Sequence, residues 1–330
     1  MHGKLRWFAN TVRFEVDGDV PGATGAYSAM RWPRASTPFH PELRRFAMLL
    51  PRTPVTPLTV RAFRLLPKRR SGDKTDDVDV VTMESGVGLR IHRPGHTALR
   101  PALLWIHGGG YVLGDAAMDD KHCRRLALEL DATVAAVEYR LAPEHPYPAA
   151  LDDCLVALER LALEPAVDSR RIAVAGASAG GGLAAALAQH VTDRSEIALA
   201  AQVLIYPMLD DRTGSRTDPG RRCRRMWNSS SNRLGWRAYL GSASPETAVP
   251  SRREDLTGLP PAWIGVGALD ILHDEAVDYA RRLQAADVPC DLEVVPGAFH
   301  GFDAVAPRTT VAQAFVDSQV AFLRRTFISI

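Results

Sequence analysis

From residue 78 onward the chain alternates between short continuous apolar runs and stretches of helical periodicity. Val78-Asp79-Val80-Val81 and Leu89-Arg90-Ile91 are short strand candidates, near enough in sequence to form a hairpin. Ala102-Leu103-Leu104-Trp105-Ile106 is apolar throughout, as a strand covered on both faces should be. An amphipathic helix is predicted over 119–130, then a strand from Thr133 to Val137 and a helix over 148–162. A strand from Arg171 to Ala175, an Ala-rich helix over 179–190 and a strand from Ala200 to Tyr206 continue the alternation. After a gap come Ala262 to Val266, a helix over 274–286, Leu292 to Val295 and a last helix over 310–326. This order predicts an α/β fold, a mostly parallel sheet with helices on both faces.

Two regions depart from that grammar. Residues 1–75 carry apolar stripes at helical spacing, Leu5, Phe8 and Val12, then Leu58, Ala62 and Leu65. Pro33, Pro38, Pro51, Pro54 and Pro57 interrupt them, and the polar stretch Lys68-Arg69-Arg70-Ser71-Gly72-Asp73-Lys74 reads as a linker. The expected division is a helical N-terminal segment with its linker over 1–75 and a body over 76–330. The gap at about 207–258 holds Met226, Trp227, Trp236, Tyr239 and Leu240 among Arg, Ser, Asn and Gly. A structureless loop of that length is uncommon inside a compact domain, so a helical insertion is expected. The basic run Arg221-Arg222-Cys223-Arg224-Arg225 within it reads as a solvated, partly helical face.

Composition narrows the class. The 330 residues are 46% hydrophobic and 24% charged, which excludes disordered, collagen-like and disulfide-scaffold chains. A net charge of +2 gives no reason to expect a nucleic-acid or acidic partner. Lys4, Lys68, Lys74 and Lys121 are the four lysines; the other 36 basic residues are Arg, so basic runs arise easily by chance. Cys123, Cys154, Cys223 and Cys290 show no metal-ligand spacing and read as free thiols in a reducing compartment. The N-terminus lacks a continuous apolar run of the signal-peptide kind. Stretches such as Ile197 to Tyr206 reach about half a membrane span. A cytoplasmic protein is expected.

The strongest chemical signal is Gly176-Ala177-Ser178-Ala179-Gly180, set between the strand Ile172-Ala173-Val174-Ala175 and an Ala-rich helix. A strand that turns sharply into a helix through a serine holds that serine in a strained, exposed conformation, and crowding requires small neighbours. Gly180, Gly182 and Ala185 also match a dinucleotide fingerprint, but Gly180 stands too far past the strand end for that use. A second signal is His107-Gly108-Gly109-Gly110 after the strand ending at Ile106. Consecutive glycines let backbone N–H groups approach a developing oxyanion. His107 itself fits a loop-organising hydrogen bond better than a base. A nucleophilic serine needs a base and an orienting acid; in the α/β-hydrolase arrangement the chain order is Ser, then acid, then His, each at a strand end. Asp270 and His300 fill those places; His273 as base and Asp210 or Asp211 as acid are the alternatives. Asp274 and Glu275 read as charges at a helix N-terminus.

These residues resemble the hormone-sensitive-lipase-like branch of the α/β-hydrolases, the bacterial family IV carboxylesterases. The likeness runs from about residue 78 to 325. It includes Leu104 to Tyr111, the segment Tyr139-Arg140-Leu141-Ala142-Pro143-Glu144-His145-Pro146-Tyr147-Pro148-Ala149-Ala150, and Tyr206-Pro207-Met208-Leu209-Asp210. The resemblance implies an eight-stranded sheet with one antiparallel strand. It implies a helical cap built from the N-terminal segment and the insertion, with Trp7, Phe8, Trp227 and Trp236 roofing the serine. It further implies a catalytic triad of Ser178, Asp270 and His300, and an oxyanion hole of the Gly108, Gly109 and Ala179 N–H groups. Ala177 departs from the family, which usually has an acidic residue there. The implied activity is hydrolysis of short-to-medium acyl esters through an acyl-serine, with no metal or organic cofactor, a small-molecule ester as partner, and a homodimer left open. The competing expectations are a receptor on the same scaffold, which His300 argues against, and amide or peptide hydrolysis.

Overall fold

A computed structural model describes residues 7–8, 11–12, 38–52, 55–65, 78–95, 99–195 and 197–330. Its strands are β1 (Trp7–Phe8), β2 (Thr11–Val12), β3 (Asp79–Thr82), β4 (Gly88–His92), β5 (Arg100–Ile106), β6 (Thr133–Glu138), β7 (Val167–Ala177), β8 (Ala201–Ile205), β9 (Ala262–Gly267) and β10 (Cys290–Val295). Its helices are α1 (Arg44–Leu49), α2 (Pro57–Leu65), α3 (Asp120–Leu130), α4 (Ala149–Ala162), α5 (Ala179–Arg194), α6 (Ser229–Leu240), α7 (Pro245–Ala248), α8 (His273–Ala285), α9 (Phe302–Val305) and α10 (Thr310–Ile328).

The strands form one sheet in the order β1-β2-β10-β9-β8-β7-β5-β6-β4-β3. The eight strands from β3 to β10 are the expected sheet. β6, β5, β7, β8, β9 and β10 run parallel, and β4 runs antiparallel to both β3 and β6. Every position of β5, β8 and β9 is buried, which requires cover on both faces. α3 packs with α10, and α4 with α5. Trp263 of β9 is almost fully buried and meets the ring of Phe315 of α10 edge-on at 5.2 Å.

The N-terminal stripes behave differently from expectation. Phe8 and Val12 lie in β1 and β2, not on a helix, and Val12 pairs with Val294 on the edge of β10. The β-branched Thr11 and Val12 suit an extended backbone, and the outer edge of β10 offers unpaired backbone groups. Leu5, Pro33 and the Lys68–Lys74 linker fall outside the described residues. α2 does form where the second stripe predicts a helix, but Leu58 and Ala62 are exposed. Among the described side chains of α2, Val60 is buried, packed with Val112 and Ala142 and flanked by Leu234 and Ala238 of α6. Arg64 explains this orientation. Its Nε donates to Val112 O at 2.9 Å and its Nη1 to Glu144 at 2.6 Å, which turns that edge of α2 inward.

Between β8 and β9 the chain forms helical turns at Thr213–Ser215 and Pro250–Arg252 besides α6 and α7. The basic run is neither helical nor one solvated face. Arg221 and Arg222 are exposed in turns, whereas Arg224 pairs with Asp218 and donates to Leu269 O. Arg225 is buried over the ring of Phe39 and donates to Ala47 O.

Candidate active site

Ser178 occupies the turn from β7 into α5 with φ +58° and ψ −116°, a conformation that costs a non-glycine residue roughly 1–3 kcal/mol. The surroundings hold it there. Its N–H donates to Ile205 O at 2.8 Å, and its carbonyl accepts from Gly182 N at 3.1 Å and Met208 N at 2.9 Å. The turn has no room for side chains. A Cβ on Gly176 would lie 2.2 Å from Gly180 O, and one on Gly180 would lie 2.0 Å from Ile106 O. Gly180 and Gly182 therefore serve the packing of α5 against the end of β5 and the segment at Met208, where a Gly182 Cβ would meet Met208 O at 2.2 Å. That is a helix-packing use of glycine and not a dinucleotide cradle.

Asp270 stands just past β9, and His300 lies on the loop after the neighbouring strand β10. The two loops are tied by Ala268 N to Val295 O and Leu269 N to Ala298 O, both 2.9 Å. His300 Nε2 is 2.9 Å from Ser178 Oγ, and His300 Nδ1 is 2.7 Å from Asp270 Oδ2. Asp270 Oδ1 accepts from Leu272 N at 3.0 Å. All three side chains are buried. With Nδ1 donating to the carboxylate, Nε2 is left as an acceptor facing the serine hydroxyl. The alternatives are engaged elsewhere. His273 pairs with Asp274 at 2.8 Å, Asp210 accepts from Arg212 and Arg216, and Asp211 accepts from Arg252.

The glycine loop lies against the serine. A Cβ on Gly108 would sit 3.0 Å from Ala177 O and 3.5 Å from Ser178 Cβ. Gly109 has φ +119° and Gly110 φ +62°. Among the described residues, no backbone hydrogen bond uses the N–H groups of Gly108, Gly109 or Ala179. His107 organises the loop. Its Nδ1 is 2.7 Å from Gly108 O, its ring stacks on Tyr139 at 4.2 Å, and Tyr139 Oη donates to His107 O at 3.0 Å.

The aromatics divide. The Trp227 ring covers Gly110, where a Cβ would come within 2.2 Å of it, and stands 6.1 Å from the His300 ring. Trp236 is buried in a cluster with Tyr111 and Tyr239, tilted against the first ring and T-shaped to the second. Trp7 and Phe8 belong to β1 at the sheet edge. A surface cavity of about 520 Å³ lined by Arg212, Arg252, Arg253 and Arg282 contains none of the site residues.

Three residues around the site carry roles that sequence reasoning missed. Glu275 is no exposed helix-end charge. It is buried, its Oε1 accepts from Leu209 N at 2.7 Å, and burial pushes its carboxyl up to about 8. Tyr206 makes a T-shaped ring contact with His300 at 4.8 Å and donates from Oη to Asp303 at 2.9 Å. Tyr206 had a signal in the Tyr-Pro segment after β8; Asp303 had none.

The chain is similar to known proteins in sequence and fold. The profile of the alpha/beta hydrolase fold family covers residues 103–304. Esterase LipI of Mycobacterium tuberculosis is 37% identical over 235 residues, 66% of this chain and 71% of that protein. The ethyl acetate hydrolase of Pseudomonas putida is 34% identical over 243 residues, 70% of this chain and 76% of that protein. The crystal structure of esterase LipW from Mycobacterium marinum aligns with a TM-score of 0.77 at 35% identity, covering 89% of this chain and 98% of that one. With the fold, the strand-end geometry and these relatives in agreement, the chain belongs to the α/β-hydrolase family, in its hormone-sensitive-lipase-like esterase branch.

Proposed function

We propose that the protein hydrolyses soluble carboxylic esters of short-to-medium acyl chain through a covalent acyl-serine. The observation that carries this reading is the hydrogen-bonded line from Ser178 Oγ through His300 to Asp270. Ser178 Oγ attacks the ester carbonyl carbon while His300 Nε2 takes its proton. Asp270 fixes the tautomer and stabilises the resulting imidazolium. The N–H groups of Gly108, Gly109 and Ala179 receive the oxyanion, at the N-terminus of α5. Collapse breaks the ester C–O bond, and His300 returns the proton to the departing alcohol. A water, deprotonated by the same imidazole, then attacks the acyl-serine and releases the acid. No step calls for a metal or an organic cofactor. The relatives named above, an esterase and an ethyl acetate hydrolase, support an ester substrate over an amide.

The same reading assigns a cap to residues 1–75 and 207–258, over a catalytic body spanning the rest of 76–330. α2 and α6 packing against Val112 and Ala142 support it. Among the described residues no helix is long and apolar enough to cross a membrane. The four unpaired cysteines support a reducing, cytoplasmic setting. A homodimer in solution belongs to the same reading and is checked by light scattering.

The test is a fluorophosphonate probe run beside an aryl-ester assay. Label on Ser178, with turnover reduced at least about 10³-fold in Ser178→Ala, is the expected result. Label on another serine, or activity retained by the variant, overturns the reading. A folded protein inactive on every ester would favour a receptor.

A further inference from the structure

His300 has a second acidic neighbour besides Asp270. Asp303 opens α9 three residues after the histidine, beyond Gly301 at φ +69°. Its Oδ1 accepts from Tyr206 Oη at 2.9 Å. Tyr206 stands between the two. Its ring meets the imidazole in a T-shaped contact at 4.8 Å and 64°. Phe315 adds a parallel ring with its centroid at 6.5 Å.

The backbone of Tyr206 is held as firmly as its ring. Its φ is +34°, outside the usual range of a bulky residue, and its N–H donates to Gly265 O at 2.7 Å. Strain of this kind persists where the surroundings over-determine a side chain's position. Here the determined feature is a phenol wedged between an imidazole and a carboxylate.

We propose that Tyr206 and Asp303 form a second positioning pair for His300: the tyrosine ring fixes the tilt of the imidazole, and the Asp303 charge sets the pH range in which it is neutral. The proposal rests on the reading of His300 as the base for Ser178. The titratable groups that face this pair come from several elements. Asp270 lies beyond β9, Asp303 and His300 lie on the β10–α9 segment, and Asp119 belongs to the short helix before α3. Trp105 Nε1 donates to Asp119 at 2.8 Å, and burial pushes that carboxyl up to about 6. Burial also raises Asp303, opposed by its Tyr206 hydrogen bond and by His300.

The sign follows from electrostatics. A negative charge beside the imidazole favours its protonated form. Removing the charge lets the ring stay neutral, and so able to accept the serine proton, at lower pH. Asp303→Asn keeps an acceptor for Tyr206 Oη and deletes only the charge. Tyr206→Phe keeps the ring and deletes the donor that favours ionised Asp303, so Asp303 keeps its proton to higher pH.

The experiment is the pH profile of kcat/KM on a soluble aryl ester, with fluorophosphonate labelling rates measured over the same range. In Asp303→Asn the acid limb moves to lower pH by roughly 0.5–1 unit, with plateau activity changed less than about tenfold. Tyr206→Phe moves it the same way by a smaller step, and Asp303→Glu restores it. Thermal unfolding checks each variant; should Asp303→Asn fail to fold, Tyr206→Phe and Asp303→Glu decide. An acid limb within about 0.2 unit of the wild type in folded Asp303→Asn and Tyr206→Phe overturns the proposal. Absence of label on Ser178 in the wild type instead overturns the underlying reading, so the two failures are separable.

Discussion

His300 Nδ1 stands 2.7 Å from Asp270 Oδ2, and the two side chains extend from the ends of the paired parallel strands β10 and β9. Adjacent parallel strands bring their C-terminal ends to the same edge of the sheet, so residues distant in sequence meet without long supporting loops. The serine enters from β7, at the same edge and separated from β9 by β8. A base oriented by one carboxylate is sensitive to which carboxylate that is.

Asp270→Asn should therefore lower kcat by about 10³–10⁴, because an amide no longer fixes the tautomer or stabilises the imidazolium. Asp210→Asn should leave kcat within about tenfold, since Asp210 is committed to Arg212 and Arg216. Steady-state kinetics on one aryl ester measures both. If Asp210→Asn is the damaging change and Asp270→Asn is harmless, the acid has been misassigned.

Gly109→Ala tests the glycine loop. Its Cβ would lie 2.0 Å from Leu113 O, and its φ of +119° is strained for any side chain. The loop must shift, and with it the N–H groups proposed to receive the oxyanion. A loss of about 10²–10³ in kcat is expected, comparable to removing one oxyanion donor. Gly95→Ala is the control, because a Cβ there meets nothing within 4 Å. Equal kinetics for the two variants would remove the loop from the chemistry.

The sheet and its helices were legible because their cover imposes a pattern. Ala102 to Ile106 is apolar throughout since β5 is buried on both faces. Ser178 was legible because its turn admits only small neighbours, visible as Gly176, Ala177, Ala179 and Gly180. β1 and β2 were not. Two-residue strands are too short to show a period, and the backbone of β10 that pairs with β2 leaves no side-chain trace. The outward face of α2 was also hidden, because Arg64, a charged residue, fixes its orientation through Val112 O and Glu144. Asp303 escaped because its partner Tyr206 is 97 positions away. Glu275 escaped for a different reason: a carboxylate in the first turn of α8 looks like an ordinary dipole partner until the segment after β8 meets it at Leu209.

The burial of Glu275 makes stability depend on pH. Its carboxyl rises from an ordinary 4.5 to about 8, so the folded state binds the proton more tightly than the unfolded state. Its contribution is complete below 4.5, declines through the interval and is lost above about 8. The slope is at most about 1.4 kcal/mol per pH unit. Glu275→Gln keeps an oxygen for Leu209 N and cannot ionise. Urea unfolding of both proteins at several pH values across that interval should show the wild type losing stability relative to the variant as pH rises. Parallel pH dependences would mean that Glu275 is ionised in the folded protein.

Trp227 bears on substrate size. It is 3% exposed, its Nε1 donates to Asn232 Oδ1 at 3.0 Å, and its ring lies between Gly110 and the His300 side of the site. An indole held there is expected to close one wall of the space beside Ser178. An acyl chain gains roughly 0.8 kcal/mol for each methylene it buries until it reaches a wall. Beyond that point a further carbon stays in water or displaces packed side chains, and the gain stops or reverses. kcat/KM for aryl esters from acetate to palmitate should therefore rise and then fall in the wild type, with little action on emulsified triglyceride. Trp227→Leu removes the six-membered half of the indole, whose Cη2, Cζ2 and Cζ3 cover Gly110, at a stability cost of roughly 1–3 kcal/mol. Its optimum should move to a longer chain, and the acetate ester should lose less than about tenfold, since the smallest substrate does not reach the wall. An unchanged optimum would put the limiting wall elsewhere in the proposed cap. A monotonic rise to palmitate in the wild type, with activation at an oil–water interface, would mean that the cap opens and that Trp227 bounds nothing.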